Sequence, residues 1–248
     1  MRRSSFISSI AWLISSGLFF WLSYIAYTQG YIRFNYPSTQ QYPVRGIDIS
    51  HHQGQIDWQK LQTENIQFAY IKATEGGDHK DKLFKQNWKN AQAIGLTTGA
   101  YHFFTFCRTG AEQADNFIAT VTKEASQLPP AIDLEYGGNC HTIPTKAILL
   151  AQLKTFIEKI TASYAQKPMI YATRDSYNNF LAGEDLADVS IWIRNIYKQP
   201  ELSDGKKWTI WQFAHQGRLK GIKGIVDLNV FNGNKAEFSE LISVTESK

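Results

Sequence analysis

Cysteine is scarce in this chain: there are two, Cys107 and Cys140, in 248 residues. No CxxC pair and no Cys/His cluster accompanies them, so the sequence offers no thiolate metal site. Two cysteines in an exported domain suggest one disulfide; two free buried thiols are the alternative. Clustered positive charge is also missing. The net charge is only +4, with no dense Lys/Arg run, which makes nucleic acid a poor partner. No repeat and no low-complexity tract breaks the chain. Charge of either sign is absent from residues 4–32.

That uncharged stretch follows Met1, Arg2 and Arg3. Phe6–Tyr27 is long enough to cross a bilayer as a helix, which needs ~20 apolar residues. Arg2 and Arg3 would stay in the cytoplasm and the remaining bulk would lie outside, periplasmic or extracellular. A cleaved signal peptide, with a secreted product, is the alternative. It fits less well, because Tyr24–Tyr27 makes a poor small-x-small cleavage site. The expected organisation is a stub over 1–5, an anchor in the lipid bilayer over 6–27, a polar linker over 28–44, a folded body over 45–240 and a frayed tail over 241–248.

What is plentiful is aromatic: seven Trp, twelve Tyr and fifteen Phe. A core absorbs many of these, but a surplus often lines grooves for sugars. Strand-like runs recur at 45–50, 68–74, 98–106, 130–136, 168–173, 189–195, 208–214 and 225–231. Helical patterns over Asp57–Ile66, Asp81–Ile94, Ala111–Ala125, Thr145–Ala165 and Arg174–Leu181 follow the first five runs. Strands alternating with helices predict parallel βα units closing into a barrel. Only about a dozen residues separate runs six and seven, and about ten separate seven and eight. A parallel crossover usually needs about a dozen residues and a helix. The expectation is therefore a lopsided α/β barrel of five βα units and three further strands, some of them antiparallel.

Residues 129–140 read PPAIDLEYGGNC. Asp133 and Glu135 alternate with Ile132, Leu134 and Tyr136, so both carboxylates project to one side of a strand. Crowding like charges costs energy and raises carboxyl pKa values. Acidic residues recur near other strand ends: Asp48 in the first, Glu75 after the second, Asp227 in the eighth. An isolated Asp is more often a cap or a surface charge. Several at the C-terminal ends of barrel strands would converge on one mouth, where such barrels carry their active sites. Convergent carboxylates hold a hard metal or perform acid/base chemistry on a sugar bond. Glu135, the longer arm nearer the strand end, is the expected acid. Tyr101, Phe103, Tyr171, Trp192 and Trp211 would line a sugar groove, about half of them being barrel core instead. His51 and His52 lack a further ligand at suitable spacing, so neither metal nor cofactor is expected. His102 should hydrogen-bond within the mouth.

RGIDISHHQGQIDW, YIKATEG, GAYHFF, PAIDLEY, IYAT, SIWIRN, IWQFA and VDLNVF, in this order, resemble the glycoside hydrolase family 25 lysozymes over roughly residues 45–231. The resemblance implies a (β/α)5(β)3 barrel that hydrolyses the β-1,4 bond between N-acetylmuramic acid and N-acetylglucosamine in peptidoglycan. By motif, Glu135 matches the proton donor and Asp133 its companion carboxylate. Asp48 and Asp227 match the remaining acids; Tyr101, Tyr171 and Trp211 match groove positions. Cys107 follows strand three and Cys140 strand four, so a disulfide is expected between adjacent strand ends. Peptidoglycan glycan strands are the expected partner, met by a monomer. A non-catalytic wall-binding barrel is the rival reading, and a metal-dependent hydrolase a third.

Overall fold

The computed structural model describes residues 2–124, 127–138, 140, 142–186 and 188–243, with backbone only for 2–8, 10, 11 and 243. Eight strands close a barrel: β1 (Arg45–Ile49), β2 (Phe68–Glu75), β3 (Thr97–Phe103), β4 (Ala131–Leu134), β5 (Met169–Thr173), β6 (Ile191–Arg194), β7 (Ile210–Gly217) and β8 (Val226–Phe231). All eight match expected runs. Neighbours from β1 through β7 pair in parallel. Only β8 runs against its neighbours, pairing antiparallel with β7 and β1 and so closing the ring. The short link from Gly217 to Val226 accounts for this, since it cannot hold a crossover helix. The two-residue strand His79–Lys80, which folds back on β2, was not anticipated.

The helices are mostly shorter than their patterns. α1 (Arg2–Thr28) precedes the barrel. α2 (Trp58–Leu61) is one turn capped by Asp57. α3 (Phe84–Ala93) starts after Asp81, whose Oδ2 accepts from His51 N and whose Oδ1 accepts from Leu83 N. α4 (Gly110–Ile118) begins on a capping box of Thr109 and Glu112. α5 (Lys146–Tyr164) starts at Thr145 and stops at Ala165, which adopts a left-handed φ of 55°. α6 (Arg174–Ser176) runs into a π turn, Tyr177–Leu181. α7 (Lys235–Ser243) includes residues assigned to the tail; the rest of that tail, 244–248, lies outside the described residues.

Alternation divides the side chains between two apolar layers. Ile47, Ile71, Ile132, Ile170 and Phe213 face outward into the layer shared with the helices. Phe68, Tyr70, Met169, Trp192, Ile210 and Phe231 fill the interior. Phe238 of α7 plugs the bottom, its ring 5.5 Å from Phe68 and 5.3 Å from Phe231. Gly46 and Gly99 face this interior, where a Cβ would overlap the rings of Phe68 and Tyr70. With the lower barrel packed, only its C-terminal mouth is free for polar work.

The segment after α1 is not a free linker. Arg218 Nη1 donates to the Gln29 carbonyl (2.8 Å), and Gly30 lies against the Gln216 carbonyl with φ +74°. Tyr42 and Val44 are buried, Tyr42 beside Trp208 and Trp211. As for the expected membrane span, no helix among the described residues is long and apolar enough to cross a membrane. Part of Phe6–Tyr27 falls on side chains outside the described residues. The described part of α1 exposes Trp12, Leu13, Phe19, Phe20 and Trp21.

Candidate active site

The inward positions at the upper strand ends form a polar cleft of about 330 Å³. Asp48, Asp133, Glu135 and Asp227 all line it, so the four acids expected to converge do so. Asp48 and Asp227 are directly opposed across the β1–β8 pair. Glu75 is not among the lining residues; it pairs with Lys72 at 2.7 Å.

Asp48 is held by two amides. Asn229 Nδ2 donates to it at 2.7 Å and Gln212 Nε2 at 3.2 Å. Those amides are oriented in turn: the Tyr171 hydroxyl donates to Gln212 Oε1 (2.9 Å) and Trp192 Nε1 to Asn229 Oδ1 (2.8 Å). The network assigns both amide orientations, because each oxygen faces a donor and each NH₂ a carboxylate. Burial still pushes Asp48 up to about 6, against the pull of these bonds and of Arg194. Asp227 is pushed well above the usual carboxylate range by burial and then by Asp48.

Burial, reinforced by the Glu135 charge, raises Asp133 well above that range; Lys72 opposes the shift. Asp133 Oδ1 is buried and has no hydrogen-bond partner. Glu135 is also raised, by burial first, while Arg194 pulls it down. Isolated buried charges are costly, so these carboxyls hold protons at a pH where exposed ones would not.

Tyr101, Tyr171 and Trp192 line the cleft as expected. Tyr171 and Trp192 are nevertheless almost fully buried, and Trp192 stacks on Tyr70 at 4.7 Å. They support Asp48 more than they offer faces to a sugar. Trp211 does not line the cleft. It points outward among Tyr42, Trp208 and Phe213, with Nε1 donating to the Asn195 carbonyl (2.8 Å). Alternation explains the correction: Gln212, one residue on, holds the inward place. His102 is also not in the mouth. It is buried behind the wall between Thr74 Oγ1 (2.7 Å) and Gln113 Oε1 (3.1 Å), and burial lowers its pKa to about 3.

His51 Nδ1 meets Asp81 Oδ2 at 2.7 Å, leaving His52 to line the cleft. Among the described residues, no group of three or more His, Cys, Asp or Glu is placed to hold a metal ion. Lys72, Arg194, Gln212, Asn229 and His215 were missed in the sequence reading. The signal was available for several: Lys72, Arg194, Gln212 and Asn229 are polar residues within otherwise apolar strands, as Asp48 is.

The expected disulfide is present. Cys107 and Cys140 are joined with Cα atoms 5.6 Å apart, linking the segments beyond β3 and β4. Beside it, Tyr136 packs on Phe106 and Phe180 and accepts from Asn179 Nδ2 (2.8 Å).

The sequence pattern of the glycosyl hydrolases of family 25 matches residues 47–222. Lysozyme M1 of Streptomyces globisporus is 34% identical over 217 residues, 82% of this chain and 72% of that protein. A family 25 glycosyl hydrolase structure from Bacillus anthracis superposes with a TM-score of 0.79 at 38% identity, covering 84% of this chain and 97% of that one. The bacterial lysozyme of Streptomyces coelicolor gives 0.76 at 31% identity, over 82% and 98%.

Proposed function

Because the chain belongs to the glycosyl hydrolases of family 25, we propose that its cleft works as a muramidase site with Glu135 as the proton donor. The enzyme is a glycoside hydrolase of lysozyme type. It hydrolyses the β-1,4 bond between N-acetylmuramic acid and N-acetylglucosamine in peptidoglycan, outside the cytoplasm. The observation that carries the assignment of roles is the raised set of four carboxyls in one cleft.

Glu135 stands at the mouth and its raised pKa keeps a proton for transfer to the glycosidic oxygen. As the leaving sugar departs with that proton, positive charge grows on the anomeric carbon and ring oxygen. Asp133 is the companion. Its unpaired Oδ1 is suited to accept the acetamido N–H of the muramoyl sugar, turning the acetyl oxygen toward the anomeric carbon. Bond formation from that oxygen would give a cyclic intermediate, which water opens with Glu135 taking back a proton. Asp48, fixed by Gln212 and Asn229, supplies the negative field beneath the sugar, with the protonated Asp227 opposite it; Arg194 limits how far these acids are raised. Two displacements retain the anomeric configuration.

Muropeptides released from purified peptidoglycan test this. The parent should yield reducing-end muramic acid, formed first as the retained anomer. Glu135→Gln should lose at least about 10²-fold in kcat while still binding the wall. A Glu135→Gln enzyme at parent rate would reject the acid, and an inverted first product would reject the role given to Asp133.

The finer reading of the N-terminus is that α1 anchors the enzyme in the bilayer. Its support is the uncharged stretch 4–32, two leading arginines, and a helix of 27 residues, roughly 40 Å long at ~1.5 Å per residue.

A further inference from the structure

Beside the catalytic cleft lies a second one, of about 200 Å³, lined by Thr173, Arg174, Asp175, Arg194, Asn195 and Tyr197. It opens where β5 and β6 end. Thr173 and Arg194 are partners in the β5–β6 ladder, so the cleft lies between two adjacent strand ends. Arg194 lines both clefts and forms their shared wall. Neither Arg194 nor the exposed Arg174 makes an ion pair among the described residues. Arg174, outside any ion pair among the described residues, and Arg194, whose charge also acts on Glu135 and Asp227, flank a notch that leads out of a glycan site and suit a ligand bearing carboxylates.

The muramoyl sugar carries such a group. Its lactyl ether sits on C3, two ring carbons from the reacting C1, and ends in the stem peptide. The notch between β5 and β6 offers a chain leaving C3 an exit, and it adjoins β4, which carries Asp133. Stem peptides present free carboxylates, and a free amine on their diamino residue. The arginines fit the former, and Asp175 on the same lip fits the latter.

We propose that this notch is a stem-peptide subsite in which Arg174 binds a carboxylate of the peptide on the muramoyl sugar. The inference rests on the muramidase reading and adds to it recognition of the peptide. Arg174 is a binding residue outside the catalytic cleft, so its effect depends on whether the stem is present.

The test uses the full chain on two substrates: stem-bearing peptidoglycan, and the same glycan strands stripped of stems by an amidase. Arg174→Ala should lower kcat/KM on stem-bearing strands about three- to tenfold, through KM, as expected for losing one solvent-screened ionic contact. Arg174→Lys should recover part of the loss, and Arg174→Glu should deepen it. On stripped strands all three should match the parent. Equal behaviour of Arg174→Ala and parent on stem-bearing strands would overturn the subsite, as would an equal loss on both substrates. A parent that cleaves neither substrate would overturn the muramidase reading itself and the subsite with it.

Discussion

Glu135 and Asp133 begin as a pair of like charges two residues apart, and burial decides what they become. Both are raised, Asp133 the more strongly. An acid that must be protonated loses function as pH rises through its raised pKa. The alkaline limb of kcat/KM should therefore lie above the ordinary carboxylate range, reporting the coupled pair rather than either group alone. The stability effect has the same direction. Asp48 goes from an ordinary 3.8 to about 6 on folding, so the native state binds more protons between those values. Its contribution is favourable below about pH 4 and is lost as pH rises through about 6. Asp227 adds to this loss, because a carboxyl raised by burial and by Asp48 is costly to ionise in place. Asp227→Asn should therefore raise stability at pH 7, with the gain vanishing near pH 3. Thermal unfolding of both proteins across pH measures it. A constant difference at all pH values would mean that titration is not the cause.

At the scale of elements, the alternating carboxylates of GIDIS, AIDLE and VDLN marked which side of their strands faces the mouth. Trp211 had no such marker. In a barrel both faces of a strand are buried, so IWQFA reads as apolar whichever way it is turned. Gln212 was the clue, as a lone polar residue in that run. The disulfide was legible because two sequential βα units place their strand ends side by side. It closes a loop between positions separated by 33 residues. Chain entropy alone then assigns it ~4 kcal/mol, usually an upper figure. Reducing the protein, or replacing both cysteines by Ser, should lower Tm. It should also reduce turnover by loosening the rim that carries Tyr136. Unchanged turnover with a lowered Tm would separate the bond's stabilising role from any role in the site.

For the whole molecule, the least legible part is what the N-terminal segment does after α1. Residues 28–44 are polar and carry two prolines, which reads as a linker. They instead lie along β7, with Asn35 Nδ2 near the Phe213 carbonyl (3.5 Å) and Arg45 Nη1 donating to the Pro37 carbonyl (3.1 Å). Two truncations distinguish anchor from stalk. Removing residues 2–28 should release the enzyme from membranes into the soluble fraction with Tm unchanged. Removing 2–43 should also lower Tm, because it strips buried Tyr42 from Trp208 and Trp211, at roughly 2–4 kcal/mol for a large core side chain. If the parent is already soluble without detergent, the anchor is wrong; if both truncations share one Tm, the packed stalk contributes nothing.

Local chemistry determined the strand runs, the five helical patterns, the acids at the strand ends and the family they belong to, because alternation, capping residues and short motifs act over a few residues. Only closure of the barrel decided the rest. It turned Trp211 outward, buried His102 behind the wall, and brought Asn229 and Gln212 onto Asp48 from positions 181 and 164 residues away. Those outcomes depend on which strands become neighbours and on how much water each carboxyl loses. Both are properties of the closed fold, not of any one segment.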